Sequence, residues 1–177
     1  MGGRDKLLEM IDGTPLLRRQ AEAALSAGCE TLVLLRPDDA ARRAALRGLD
    51  LRIAEVKDHA EGLSASLRQA ARAPRPGQPL AILLPDIPGV DVRLIRDLIT
   101  TFEQAGAVKI TRPVDHENRP GFPVILPHEA LARFATLRGD RGLQLTSWLA
   151  MPLPDDRATR DLDTPEDWDA WRATRRP

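Results

Sequence analysis

The stretch Leu80-Ala-Ile-Leu-Leu-Pro-Asp-Ile-Pro88 places the strongest constraint on what this chain can fold into. Five apolar residues run together without a polar break. A short run that is apolar on both faces suits a strand covered on both sides of a sheet. Pro85 ends it, because proline has no N–H to give a ladder. Asp86 then falls just past the strand's carboxyl end, the edge at which open α/β sheets bind ligands. A carboxylate there can hold a divalent cation. It can equally shape the turn or cap the next helix, and the local sequence leaves both uses open.

The rest of the chain alternates around that strand. Further strands are expected over residues 31–35, 51–56, 108–113 and 124–126. Helices are expected between them. Thr14 as N-cap and Pro15 at the first helical position start one that Gly28 ends. Others cover residues 37–46, 64–73, 88–105, 127–137 and 143–149. A last helix follows Asp161-Leu-Asp-Thr-Pro-Glu-Asp-Trp168, with Thr164 as N-cap and Glu166 and Asp167 placed well against the helix dipole. Strands alternating with helices predict a three-layer α/β sandwich with a mostly parallel sheet. At 177 residues the chain is long enough for one domain with a real core. The Pro-rich run 73–79 separates a helix from the central strand rather than two domains.

Charge excludes some function classes. Lys plus Arg and Asp plus Glu number 26 each, so there is no basic field for nucleic acid or an acidic membrane surface. No run approaches the roughly 20 apolar residues of a membrane span. The single cysteine, Cys29, forms no internal disulfide and suits a reducing cytoplasm. His59, His116 and His128 are too dispersed for a metal cluster and read as surface residues. Trp148, Trp168 and Trp171 read as covers of the core.

Seven segments, in order, resemble the MobA-like nucleotidyltransferases: Lys6-Leu-Leu, Gly13-Thr-Pro-Leu-Leu, Glu61-Gly-Leu-Ser-Ala-Ser-Leu67, Pro85-Asp-Ile-Pro88, Gly121-Phe-Pro-Val, Gly139-Asp-Arg-Gly142 and Asp161-Leu-Asp-Thr-Pro-Glu-Asp167. The Glu61 to Leu67 stretch makes the chain most similar to the molybdenum-cofactor cytidylyltransferases. The resemblance implies a nucleotide-diphospho-sugar transferase-like fold. It implies transfer of CMP from CTP to a molybdopterin-type acceptor, with release of pyrophosphate and with Mg²⁺ as cofactor. Its partners would be the nucleotide, the acceptor and a molybdoenzyme. Nucleotidyl transfer needs positioning and charge neutralisation more than covalent help. By the same resemblance Lys6 neutralises the triphosphate and Asp86 holds the metal, with Asp161 or Asp163 completing the site. Gly2, Gly3 and Arg4 meet phosphates, Gly62, Ser64 and Ser66 meet the base, and Gly121, Phe122 and Pro123 line the acceptor side. Ser64 can also serve as the N-cap of its helix.

The chain departs from the family pattern at its start. The family's first strand runs into Leu-Ala-Ala-Gly-x-Ser-x-Arg-Met-Gly, whose glycine-rich loop cradles phosphates. This sequence begins at what resembles the closing Met-Gly. A first strand and most of the loop are therefore expected to be missing, leaving a gap between the strands near 31–35 and 80–84. A misassigned start, a shortened paralogue or a rearranged Gly2-Gly3 segment would each account for this. Phe122 stands where the family more often has a polar residue. Two rival readings follow: a non-catalytic cofactor-binding or assembly protein of the same fold, and a guanylyltransferase or sugar-phosphate nucleotidyltransferase. A chain without the loop is expected to turn CTP over slowly or not at all. Steady-state assay of the purified chain checks this, and turnover in the usual enzyme range would overturn it.

Overall fold

The computed structural model describes residues 5–137 and 145–173. Local chemistry sets the first elements. Asp12 and Gly13 both take positive φ, 52° and 79°, the signature of a two-residue hairpin turn. That turn pairs β1 (Met10–Ile11) with β2 (Thr14–Pro15). Thr14 is therefore spent in a ladder and does not cap the helix as expected. α1 (Leu16–Ser26) begins one residue later, with Pro15 at its N-cap.

β3 (Leu32–Leu35) and β4 (Arg52–Glu55) pair in parallel, with α2 (Ala40–Ala45) between them in the chain. α3 (Leu63–Ala71) then leads to β5 (Leu80–Ile82), and α4 (Val92–Gln104) to β6 (Thr111–Val114). β7 (Val124–Leu126) and β8 (Leu149–Pro152) complete a four-stranded sheet of order β5-β7-β6-β8. β6 and β8 are parallel. β7 runs antiparallel to both of its neighbours, because the short link from β6 to β7 leaves no room for a crossover helix. Among the described residues no ladder joins β3 to β5.

Period-two alternation builds the layers. Val124 and Leu126 face Leu67 of α3 and Leu131 and Phe134 of the 3-10 segment His128–Thr136. Ile125, between them, faces Leu94, Ile95, Leu98 and Phe102 of α4. One strand thus feeds two cores, and helical layers cover both faces of the sheet. A third cluster joins Leu7, Leu16, Leu17, Leu35 and Leu46 to Leu162 and Trp168. Trp168 sits on α5 (Pro165–Ala173). Its ring meets Trp171 edge-on at 6.2 Å, so both tryptophans cover core as expected.

Several expectations are corrected here. The run at Leu80, expected as a central strand covered on both faces, forms only β5, which stands at an edge of the four-stranded sheet among the described residues and leaves Ala81 exposed. Trp148, expected to cover the core, is exposed. The helix over 143–149 is not formed in its described part: residues 145–148 are irregular and Leu149 opens β8, whose ladder with β6 outweighs local helix propensity. The segment after Pro127 is a 3-10 helix rather than an α-helix. His128 is half-buried rather than on the surface, and its Nδ1 is sealed from solvent. The Gly139 to Gly142 motif lies outside the described residues.

The segment after β8 is held by backbone contact. A Cβ on Gly121 would stand 2.4 Å from the Ala158 carbonyl oxygen, and one on Gly89 would stand 2.5 Å from that of Arg157. Phe122 N–H donates to the same Ala158 oxygen at 2.8 Å. Gly121→Ala is therefore expected to cost about 1–3 kcal/mol, the usual penalty of overpacking. Thermal unfolding should register it at roughly 2–4 °C per kcal/mol.

Candidate active site

Lys6 opens a 3-10 turn, Lys6–Leu8. Asp5 anchors the turn at its N-cap by accepting the Leu7 N–H at 3.1 Å. Arg42 grips the same carboxylate through Nε at 2.7 Å and Nη2 at 3.0 Å, which holds the Asp5 carboxyl below its ordinary range despite burial. The anchor points Lys6 Nζ at Asp86 Oδ2, 2.8 Å away, and at Asp163 Oδ1. Burial pulls the ammonium's pKa down, but its hydrogen bonds to Asp163 and Asp86 outweigh that and raise it above the ordinary lysine value.

This triad joins residues 80 and 157 positions apart in the chain. Asp86 reaches it from the turn beyond β5. Asp163 reaches it because the Leu162 N–H donates to the Asp86 carbonyl at 3.3 Å and the Leu162 side chain is fully buried. Thr164 and Asp167 then cap α5 reciprocally: Asp167 N–H donates to Thr164 Oγ1 at 3.2 Å, and Thr164 N–H to Asp167 Oδ2 at 2.7 Å. Asp161 is exposed, and among the described residues no hydrogen bond or ion pair joins it to Lys6.

Two carboxylates that converge on one cation are a fair fit to Mg²⁺, which takes one or two protein carboxylates and fills its shell with water and phosphate oxygen. Among the described residues no group of three or more His, Cys, Asp or Glu side chains converges. The protein by itself would thus supply only part of a metal's shell. Beside the triad lies an open cleft lined by Asp5, Lys6, Arg36, Pro37, Asp38, Asp39 and Arg42, at the carboxyl end of β3.

Gly62 takes φ 83° and ψ −158°, a conformation favourable only to glycine, and α3 starts at once behind it. Ser64 therefore lies inside the first turn and is not the N-cap. It is fully buried, and among the described residues its Oγ has no hydrogen-bond partner. Ser66 is half-buried on the same helix. Gly121 and Pro123 are buried and Phe122 is half-buried, with a cis Phe122–Pro123 peptide. Gly2, Gly3 and Arg4 lie outside the described residues.

The sequence reading missed Asp115, whose side chain is wholly buried. It accepts the N–H groups of Glu117 and Arg119 at 2.9 Å each, Arg119 Nε at 2.7 Å and the Thr159 hydroxyl at 2.8 Å. Burial alone would raise its pKa, but these donors hold the carboxyl well below the usual range. Asp115 thereby ties the loop before Gly121 to the segment that carries Asp163. An Asp just after a strand and before a polar turn was its only signal in the sequence.

The chain belongs to the MobA-like NTP transferase domain family, whose pattern matches residues 1–156. Among solved structures, Rv0371c from Mycobacterium tuberculosis H37Rv superposes with a TM-score of 0.74 at 25% identity, over 96% of this chain and 90% of that one. A manganese complex of the same mycobacterial protein gives 0.71 at 26%, over 95% and 91%. Molybdopterin-guanine dinucleotide biosynthesis protein A from Archaeoglobus fulgidus gives 0.68 at 19%, over 95% and 89%, a likeness of fold alone. No curated protein matches the chain in sequence.

The Asp115 network makes an acid-range prediction. Its folded pKa lies below the unfolded one, so in that window the unfolded chain binds more protons and stability rises with pH. The contribution is complete near neutrality and is lost from about pH 5 downward. Asp115→Asn should melt lower at neutral pH and lose stability less steeply in acid. An unchanged acid slope in thermal melts would assign the effect to another group.

Proposed function

We propose that this protein transfers a nucleoside monophosphate, CMP from CTP, to the terminal phosphate of a molybdopterin-type acceptor, at a rate below the usual enzyme range. The observation that carries the reading is the Lys6 ammonium shared between Asp86 and Asp163 at the carboxyl end of β5. Such a cluster has little structural return. Salt bridges at this degree of exposure contribute about 0–1 kcal/mol, yet the fold brings three distant segments together to make it. An arrangement of movable charges at a strand end suits polyphosphate chemistry.

An oxygen of the acceptor phosphate attacks the α-phosphorus of CTP. The bond from that phosphorus to the oxygen bridging the β-phosphorus breaks, and pyrophosphate leaves with the electron pair. Lys6 moves from the two carboxylates to the triphosphate and neutralises charge there as the leaving group forms. Asp86 and Asp163, freed of the ammonium, would hold Mg²⁺. When bound, the metal neutralises the phosphates and orients them for in-line displacement. The buried Ser64 hydroxyl, without a hydrogen-bond partner among the described residues, offers a donor to the nucleotide, and Ser66 lies two positions further along α3. The Glu61 to Leu67 stretch is what favours cytosine. Gly121, Phe122 and Pro123 form the acceptor wall.

Thermal stability in the presence of nucleotide and Mg²⁺ tests the reading. A ligand bound only to the folded state at a hundredfold excess over its Kd adds about 2.7 kcal/mol, or roughly 5–10 °C for a chain of this size. CTP with Mg²⁺ should give such a shift and GTP a smaller one. Asp86→Ala should remove the Mg²⁺-dependent part. A full shift in that variant would refute the metal assignment, and no shift with any nucleoside triphosphate would refute the function.

A further inference from the structure

Arg112 interrupts the apolar β6, and its placement is unusual for a cation. The residue is only 7% exposed. Nε and Nη2 both donate to the Gly121 carbonyl oxygen, at 3.1 and 2.9 Å. The guanidinium carbon lies 5.6 Å from the Phe122 ring centroid and 5.4 Å from that of Trp148. Among the described residues no carboxylate pairs with it, and Nη1 has no hydrogen-bond partner.

A buried guanidinium keeps its charge. One neutral carbonyl and two aromatic faces offset only part of the cost of removing that charge from water. Burial accordingly pulls its pKa below the ordinary arginine value. The missing component is an anion. Nε and Nη2 share the Gly121 carbonyl, so the edge left for an anion is the one that Nη1 forms with Nη2. That edge is built to bind two oxygens of one phosphate or carboxylate.

The fold puts this edge beside the acceptor wall. Thr111 pairs with Ile125 in an antiparallel ladder, so Arg112 stands opposite Val124 and shares its face of the sheet. That face is the one covered by α3, which carries Ser64. The carbonyl that Arg112 grips belongs to Gly121, the first residue of the acceptor wall.

We infer that Arg112, packed against Phe122 and Trp148, is the subsite for an anionic group of the acceptor substrate. This rests on the nucleotidyl-transfer reading and names the acceptor's chemical class: it carries a phosphate or a carboxylate in addition to, or as, its attacking group. Arg112 then selects against neutral acceptors of similar shape, because leaving its edge unpaired costs affinity.

Trp148 is a built-in reporter. With ¹⁵N-labelled tryptophan the three indoles give separate NMR resonances, and Trp148→Phe assigns the relevant one. Inorganic phosphate and, separately, acetate are titrated at constant ionic strength. The Trp148 resonance should shift saturably while those of Trp168 and Trp171 stay still. Response to phosphate alone or to acetate alone supports the subsite and says which anion the acceptor carries. Arg112→Met should abolish the shift, and Arg112→Lys should weaken binding by roughly tenfold or more, the worth of one charge-assisted hydrogen bond. No saturable Trp148 shift with either anion in the unmodified protein, a measurement that needs no variant to fold, overturns the inference. So does a shift that survives in Arg112→Met. Lys6→Met separates the two readings: it should lose the stabilisation by CTP and Mg²⁺ and keep the Trp148 titration. Stabilisation by CTP without a Trp148 response refutes the acceptor subsite alone. A Trp148 response without nucleotide stabilisation refutes the transferase reading alone.

Discussion

The docking of residues 157–163 onto the carboxyl end of the sheet is the contact on which the rest depends. Ala158 and Arg157 lie against two glycines with no room for a side chain, and the Leu162 N–H reaches the Asp86 carbonyl. Backbone against backbone leaves little slack, since interiors do not deform continuously. The segment therefore arrives at Asp86 in one register. Asp163 follows from that register, and with it the second carboxylate of the Lys6 triad.

The same segment couples the two sides of the site. Thr159 hydrogen-bonds Asp115, which orders the loop leading to Gly121 and Phe122. Phe122 N–H in turn bonds the Ala158 carbonyl. The Gly121 to Pro123 segment and the Asp86 and Asp163 carboxylates are thus two ends of one packed unit. Asp115 is stabilised as an anion within it by donors on three different residues, which is how a fully buried carboxylate is tolerated. Arg112 is the opposite case: a buried cation whose partners among the described residues are a carbonyl and two rings.

The two-sided burial of β7 carries the architecture. Its three residues are fully apolar and alternate between the α3 and α4 layers. Because it enters antiparallel, the loop before it, 115–123, lies at the same end of the sheet as the turn after β5. The Gly121 to Pro123 segment and Asp86 are neighbours for that reason. Among the described residues the β3–β4 pair is attached to the remainder through α1, α3 and the N-terminal core rather than through a ladder.

The sequence by itself determined the elements whose signal is local. The Asp12-Gly13 turn and the Thr164 cap are written in residue type, a strand at Leu80 was legible though its place at a sheet edge was not, and Lys6, Asp86 and one of Asp161 or Asp163 could be named from an ordered set of short segments. Tertiary structure decided whatever depends on partners distant in the chain. Thr14 joined a ladder instead of a cap because Met10 and Ile11 were in reach. Leu149 became strand because β6 offered a parallel edge. Ser64 moved inside its helix because Gly62 could turn more sharply than any other residue. Asp163 rather than Asp161 met Lys6 because backbone packing at Gly89 and Gly121 fixed the register. Asp115 and Arg112 carry no motif: a lone charge in a loop or strand reads as solvated until the fold buries it, and only then does the cost of burial reveal what it must bind.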